Sequence, residues 1–223
     1  MINNSKSLTY NEIIEKTAHY VKTELKEAEG GHDWYHIERV WKNAVYIAKK
    51  ENKGDILIIE LAALLHDIAD AKFHNGDESI GPRLAGQFLR SLELPEETID
   101  HVIKIVENIS FRKRHLKSTF NSVELQIVQD ADRLDAIGAI GIARVFNFGG
   151  YMNRRLYDPV EFEGTEIING NQNNRHTIGH FYDKLLLLSK MMNTETGRKI
   201  AKERHDFMET FLEQFYKEWE GLV

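Results

Sequence analysis

The sequence of 223 residues contains no cysteine, only three prolines, no excess of positive charge and no long apolar run. Without cysteine, disulfide and thiolate chemistry are excluded, so any metal must have nitrogen and oxygen ligands. The formal net charge of −6 argues against general nucleic-acid binding but allows a locally basic pocket. No stretch approaches the length of a membrane span, and the N-terminal residues lack the layout of a signal peptide. We therefore expect a cytoplasmic protein without a membrane partner.

The apolar residues recur with helical spacing almost throughout, which predicts an all-α protein of about eight helices. Predicted helices cover about 9–27, a stretch starting near 33, and 56–69, 79–92, 95–108, 122–148, 175–192 and 194–219. Start signals are Thr9 with Glu12 as a capping box, Asp33 as a cap, and Pro95 before an acidic turn. The polar stretch 149–174 is predicted to be a loop. We expect a single domain over residues 1–223, with a core at about 18–148 and C-terminal helices at 175–219 packed on it.

Several of these apolar helices carry histidine or aspartate in their interior, at His32, His36, His66, Asp67, His101, Asp130, Asp132 and Asp135. An isolated ionised carboxylate in a core costs several kcal/mol unless it is paired or bound to a metal. A divalent cation shared between helices would offset several such costs together. The alternatives are that each histidine is an ordinary core or surface residue and that the aspartates pair with arginines.

Four elements in order resemble the signature of the HD-domain metal-dependent phosphohydrolase superfamily: His36, the doublet His66-Asp67, and Asp132. The fuller strings HDWYHIERV, LLHDIADAKF and DADRLDAIGAIGIARVF, with the tail from 180 onward, resemble a bacterial branch of single-domain proteins related to nucleotide pyrophosphohydrolases. The resemblance covers about residues 18–219. It implies that the metal ligands are His36, His66, Asp67 and Asp132. His32 and Asp33 would support these ligands, either as a helix cap or through contacts with the ligand side chains.

Two imidazoles and two carboxylates suit one six-coordinate divalent ion with positions left for water and a phosphate oxygen. Manganese is the preferred expectation, with magnesium, cobalt, iron and nickel as options; zinc would be saturated by four ligands. The chemistry is then phosphoester or phosphoanhydride hydrolysis. We expect His66, Asp67 and Asp70 to act in catalysis, because Asp70 lies one helical turn from the doublet. Asp135 likewise lies about one helical turn from Asp132.

An anionic substrate needs cationic partners, and the candidates are Arg39, Lys72, Arg112, Arg114 and Arg144, with Lys104, Lys113 and His115 nearby in the sequence. The alternative for the basic loop FRKRHLK is a solvated connector between helices. The segment NRRLYDP could form a lid or stack on a base, although a plain surface loop is favoured. His176 and His180 have the spacing of a second metal pair, but a structural role is favoured, and we expect a single metal.

The resemblance implies hydrolysis of nucleoside or deoxynucleoside triphosphates to monophosphate and pyrophosphate. The closest rival is a 5′-nucleotidase or a cyclic-nucleotide phosphodiesterase that uses the same metal site. A sensor that binds metal and nucleotide without turnover is a rival from another class. A nucleic-acid-binding module based on FRKRHLK is the third, and the acidic balance argues against it. A small-molecule nucleotide is therefore the expected partner, and a homodimer is a further option.

Overall fold

A computed structural model describes residues 7–27, 33–69, 77–109, 120–160 and 176–222 of the chain. The described residues are predominantly helical and form no strand, with a single isolated bridge between Arg155 and His176, so the predicted all-α class is confirmed. Among them, no helix is both long and apolar enough to cross a membrane. The chain divides into two compact units, Met1–Ala131 and Asp132–Val223. The predicted single domain stays a prediction.

The first unit contains α1 to α5 and most of α6. The bounds are α1 Tyr10–Glu24, α2 Trp34–Glu51, α3 Ile56–Leu65, α4 Ile80–Ser91, α5 Glu96–Asn108 and α6 Val123–Asp135. The boundary between the units falls inside α6, between residues 131 and 132. The helix α3 packs against α1, α2 and α5, and α4 packs against α5. The core of this unit is therefore built around α3.

Local signals in the sequence start three of these helices as expected. Thr9 and Glu12 form the capping box of α1, in which the Thr9 backbone N–H donates to Glu12 Oε2 at 2.8 Å. The Asp33 carboxylate caps α2, and Pro95 directly precedes α5. The first turn of a helix leaves backbone N–H groups without intrahelical partners. The caps accept hydrogen bonds from such groups, and proline has no N–H group to satisfy.

The helix α3 is apolar all round except at Glu60, and its residues from Ile58 to Leu65 are buried. The Glu60 carboxylate is 8% exposed; it accepts hydrogen bonds from the Tyr10 hydroxyl at 2.5 Å and from Trp41 Nε1 at 2.8 Å. These partners offset the desolvation of the carboxylate. The expectation that this helix reaches about residue 69 was wrong, because α3 ends at Leu65 and the next residues form turns.

The predicted long helix over 122–148 was also wrong, since it is interrupted between α6 and a separate helix α7 at Gly138–Tyr151. Gly138 adopts φ +76°, a conformation that favours glycine. At Gly141, a Cβ atom would lie 2.3 Å from the Ala136 carbonyl oxygen, so this glycine permits a close backbone approach. The two glycines in AIGAIGIA were the signal for the break.

The second unit continues with a π-helical turn Phe181–Leu185, a short α8 at Leu186–Leu188, a 3₁₀ turn Ser189–Met191 and the long α9 at Glu195–Trp219. The predicted single helix over 175–192 is thus a succession of three helix types. Helix α7 packs against α9. Phe146, Phe181 and Phe211 have ring centroids about 6 Å apart and form an aromatic cluster in this unit. Most of the predicted loop 149–174 lies outside the described residues, and α7 extends to Tyr151.

Candidate metal centre

His36 is held in the first turn of α2. Its backbone N–H donates to Asp33 Oδ1 at 3.0 Å, so the capping residue sets the start of the helix and with it the position of the histidine. The side chain of His36 is 2% exposed. Asp33 therefore has the supporting role of a helix cap that the sequence predicted, while His32 lies outside the described residues.

The doublet His66-Asp67 lies at the C-terminal end of α3, where His66 is the C-cap residue. His66 is 9% exposed, and its Nδ1 lies 2.9 Å from the Ala63 carbonyl oxygen. A proton on Nδ1 donates to this carbonyl, which leaves the lone pair on Nε2 as the one that can bind a metal. The carbonyl groups at a helix C-terminus carry a partial negative charge, so this position also favours a bound cation.

The two segments bring His36, His66 and Asp67 together. One ligand atom of each residue lies within 4.8 Å of the others, and the two imidazole rings have centroids 5.3 Å apart. Two imidazole nitrogens and one carboxylate oxygen are a donor set that fits a first-row divalent ion. This chain therefore has a possible metal site in its first unit, and three of the four predicted ligands contribute to it.

The fourth predicted ligand, Asp132, begins the second unit and lies on α6. Its role as a ligand stays a prediction. The described neighbours Asp130 and Asp135 are more deeply buried, at 0% and 2% exposure. The predicted catalytic Asp70 and the predicted substrate-binding residues Lys72, Arg112 and Arg114 lie outside the described residues.

Two predicted substrate-binding arginines are described. Arg39 is half-buried on α2, one helical turn after His36. Arg144 on α7 forms an ion pair with the buried Asp135, with its Nη1 atom 2.6 Å from Asp135 Oδ2. This contact shows how Asp135 is compensated without a metal. Contact of either arginine with substrate stays a prediction.

His101 and His176 have described partners of a structural kind. His101 Nε2 lies 3.0 Å from Ser122 Oγ and 3.4 Å from Glu124 Oε2. His176 is 6% exposed, and its Nδ1 accepts from the Gly179 backbone N–H at 3.0 Å. The sequence did not lead us to the Ala63 carbonyl as the group that orients His66. The last carbonyls of a helix lack intrahelical partners, so a prediction that α3 ends before His66 would have indicated this contact.

Two histidines and an adjacent aspartate meet at the ends of two helices in a helical core. This arrangement is typical of helical metal-binding proteins. Within that class, the HD domain family matches residues 33–137, a stretch that contains all four predicted ligands. The Bacillus subtilis protein YpgQ is 40% identical over 204 residues, which cover 91% of this chain and 92% of YpgQ. The chain belongs to the HD superfamily.

Solved structures agree with this assignment. An HD-superfamily hydrolase from Bacillus thuringiensis is 43% identical, with a TM-score of 0.76 over 95% of this chain and 99% of that one. The crystal structure of Bacillus subtilis YpgQ in complex with ADP has a TM-score of 0.76 and 37% identity over 95% of this chain and 97% of that one. The protein is therefore an HD-superfamily hydrolase of the metal-dependent phosphohydrolase type.

Proposed function

We propose that this protein hydrolyses nucleoside or deoxynucleoside triphosphates to monophosphate and pyrophosphate, with one divalent ion, preferably manganese, as its cofactor. The observation that carries the proposal is the group formed by His36, His66 and Asp67, whose ligand atoms lie within 4.8 Å of one another in a largely buried position. Placing a carboxylate beside two imidazoles in a largely buried position costs free energy unless the charge of Asp67 is compensated there.

In this proposal each residue of the group has a separate role. His36 and His66 would supply nitrogen donors to the ion and Asp67 a negatively charged oxygen donor, while the Ala63 carbonyl orients the His66 ring. When bound, a divalent ion supplies Lewis acidity toward a phosphate group and a water of lowered pKa. We expect Arg39, one helical turn after His36, to add positive charge for the binding of a phosphate group.

Support for a nucleotide substrate comes from the relatives. The structure of YpgQ is described as a complex with ADP, and that protein aligns with nearly the whole chain. The sequence strings around the ligands also resemble nucleotide pyrophosphohydrolases. The choice of the bond between the α- and β-phosphates rests on that resemblance.

The test is to incubate metal-stripped protein with manganese, magnesium, cobalt, iron or nickel ions and a panel of nucleotides, and to identify the products by ³¹P NMR. We expect equal amounts of monophosphate and pyrophosphate from triphosphates, with the highest rate in manganese. Orthophosphate released from monophosphates would instead identify a 5′-nucleotidase, and opening of cyclic nucleotides a phosphodiesterase. Nucleotide binding without turnover in every metal would identify a sensor, and each of these results contradicts the proposal.

A further inference from the structure

The outward face of α2, in the first unit, carries only tyrosine and lysine at its exposed positions. This helix of 18 residues packs against α3 with its apolar side. Its exposed residues are Tyr35, Lys42, Tyr46, Lys49 and Lys50. Positions 35, 42, 46 and 49 recur with the helical period and therefore share one side of the helix. We call these exposed residues, together with the exposed Lys53 just beyond the helix, the α2 face.

The positive charges at the C-terminal end of the α2 face are not compensated by acidic side chains. Lys42 pairs with Glu38, with 3.1 Å between Nζ and Oε1. Lys49, Lys50 and Lys53, in contrast, form no ion pair within the described part of the chain. The negative end of the helix dipole stabilises cations at this position, but it carries only about half a charge. Three ammonium groups in residues 49–53 therefore leave a local positive potential.

Helix α9 shows how exposed lysines are compensated elsewhere in this chain. Lys199 pairs with Glu195 at 2.7 Å, and Lys202 pairs with Asp206 at 2.6 Å. The exposed positions of α9 thus include acids one helical turn from these lysines, whereas the exposed positions of α2 include no acid. The α2 face therefore has an excess of positive charge that an ordinary solvent-facing helix of this protein lacks.

Two aromatic rings lie among these lysines. Tyr35 is 65% exposed and Tyr46 is 49% exposed. They are 11 positions apart, which corresponds to about 16 Å along the helix axis. The Lys50 Nζ atom lies 5.7 Å from the centroid of the Tyr46 ring, so a cation accompanies this exposed ring. A flat ring beside an ammonium group offers a surface for a nucleobase and a partner for the phosphate next to it.

We propose that the α2 face binds single-stranded nucleic acid, with bases stacked on Tyr35 and Tyr46 and phosphates paired with Lys49, Lys50 and Lys53. The bases of a single strand can stack on side chains, whereas those of a duplex are stacked on one another. A membrane-binding helix would expose tryptophan, phenylalanine or leucine, and the exposed positions of α2 include none of these. The net charge of −6 has little effect on this face, because salt at 0.1 M screens exposed charges beyond about 10 Å.

The test measures binding of the full-length protein to fluorescent oligodeoxythymidine of about 12 nucleotides, a length within the usual range of single-strand sites, by fluorescence anisotropy. A chelator is present, so nucleotide hydrolysis plays no part. We expect saturable binding, with a slope of about −2 for log affinity against log salt concentration, the value for three phosphate contacts on a single strand. Absence of binding, or equally tight binding of the duplex, overturns the proposal.

The variant Asp67→Ala separates the α2 face from the metal centre. We expect it to bind the oligonucleotide as the wild-type protein does, because Asp67 does not belong to the α2 face. Loss of binding in Asp67→Ala would place the strand at the metal centre and contradict the proposal. This result is independent of whether the protein hydrolyses nucleoside triphosphates.

Substitutions of Tyr46 test the stacking of bases. We expect Tyr46→Ala to weaken binding about tenfold, the usual loss for one stacked base, and Tyr46→Phe, which keeps the ring, to bind as the wild type does. Equal affinities of these two variants would contradict stacking at this position. Circular dichroism checks their folding, and Tyr35→Ala with Tyr35→Phe gives the same comparison if Tyr46→Ala fails to fold.

The role of the lysines is tested at constant net charge. We expect the double variant Lys49→Gln/Lys53→Gln to bind at least about tenfold more weakly and to lower the salt slope to about −0.7. The control Lys199→Gln/Lys202→Gln on α9 changes the net charge equally and should bind as the wild type does. An equal loss in the two double variants would show that only overall charge matters. Binding to vesicles of equal parts phosphatidylserine and phosphatidylcholine, without binding to the oligonucleotide, would assign the α2 face to a membrane surface and refute the proposal.

Discussion

The histidines at positions 36, 66 and 180 differ in what surrounds their ring nitrogens. His36 and His66 lie beside Asp67, and the Nδ1 atom of His66 is directed at the Ala63 carbonyl. Burial, followed by the positive charges of Lys184 and Arg154, lowers the pKa of His180 to about 4. An imidazole next to a carboxylate is suited to bind a cation, whereas a buried imidazole among positive charges stays uncharged near neutral pH. The same residue type therefore lies in opposite electrostatic surroundings in the two units.

Removal of the carboxylate at position 67 tests the metal centre directly. We expect Asp67→Ala to lose manganese binding and nucleotide hydrolysis together while most of the helical circular-dichroism signal remains, because His66 and Asp67 follow the end of α3 and do not form part of its interior. Isothermal titration with manganese and the product assay are the measurements. Asp100→Ala, which changes an exposed aspartate of α5, is the matched control. Full activity of Asp67→Ala would remove this residue from the ligand set.

Asp33 is a positioning residue for His36 because its carboxylate accepts from the His36 backbone N–H. Asp33→Ala removes the cap, and we expect the protein to lose about 1 kcal/mol of stability. Manganese affinity should fall by about tenfold, the lower end of the effect of groups that support a ligand. Asp33→Asn, which can still cap the helix, should restore both. A loss of stability in Asp33→Ala with unchanged manganese affinity would limit Asp33 to a structural role.

The prediction that Asp132 is a metal ligand, which rests on the sequence resemblance, is tested by the same titration. Asp132→Asn keeps the size of the side chain and removes its charge. We expect manganese binding to weaken by at least about tenfold, because a charged donor to a divalent ion is replaced by a neutral one. Unchanged affinity would contradict the four-ligand set while leaving the group of His36, His66 and Asp67 intact.

At the scale of elements, the ends of helices matter more for this site than their interiors. The N-terminus of α2 holds His36 and the C-terminus of α3 presents His66 and Asp67. The interior of α3 is apolar and packs against three other helices, so its last turn is held rigidly. A rigid helix end is a precise support for a ligand, since the backbone that carries it is already hydrogen-bonded.

The break between α6 and α7 depends on the backbone at Gly138. We expect Gly138→Ala to destabilise the protein by about 1–3 kcal/mol, since alanine at positive φ is strained and its Cβ would lie 2.9 Å from Arg204 Cγ. Gly150→Ala is the matched control in α7, where an added Cβ meets no atom within 4 Å. That change should stabilise by up to about 1 kcal/mol. Urea denaturation of both variants measures the difference, and equal effects would contradict this account of the break.

At the scale of the whole molecule, His180 connects stability to pH. Its pKa is about 4 in the folded protein and about 6.5 in the unfolded chain, so the unfolded state binds the extra proton more tightly. The contribution of His180 to stability is therefore complete above pH 6.5 and is lost as the pH falls toward 4. Linkage gives a loss of about 2 kcal/mol between pH 8 and pH 5.

Urea denaturation at pH 8 and pH 5 measures this loss. The His180→Gln variant should lose about 2 kcal/mol less than the wild-type protein over the same interval, because its side chain does not titrate. If the free energy of unfolding depends equally on pH in the two proteins, the pKa of His180 is not lowered by burial.

Several features of the fold and site follow from local sequence. The capping box at Thr9, the cap at Asp33 and the proline before α5 involve residues within three positions of one another, so their chemistry acts in any tertiary context. Helical spacing of apolar residues likewise indicated the all-α class. The interruption at Gly138 was missed because apolar residues continue on both sides of it, although its glycines were a local signal. The π-helical turn at Phe181–Leu185 was also missed.

The amino-acid order is thus sufficient for the type of most helices, for their starting residues, and for membership of the HD superfamily, since all of these are carried by short strings. It is not sufficient for the meeting of His36 with His66 and Asp67, nor for the lowered pKa of His180. Those properties depend on distances between side chains and on the exclusion of water, which exist only after distant segments have packed together.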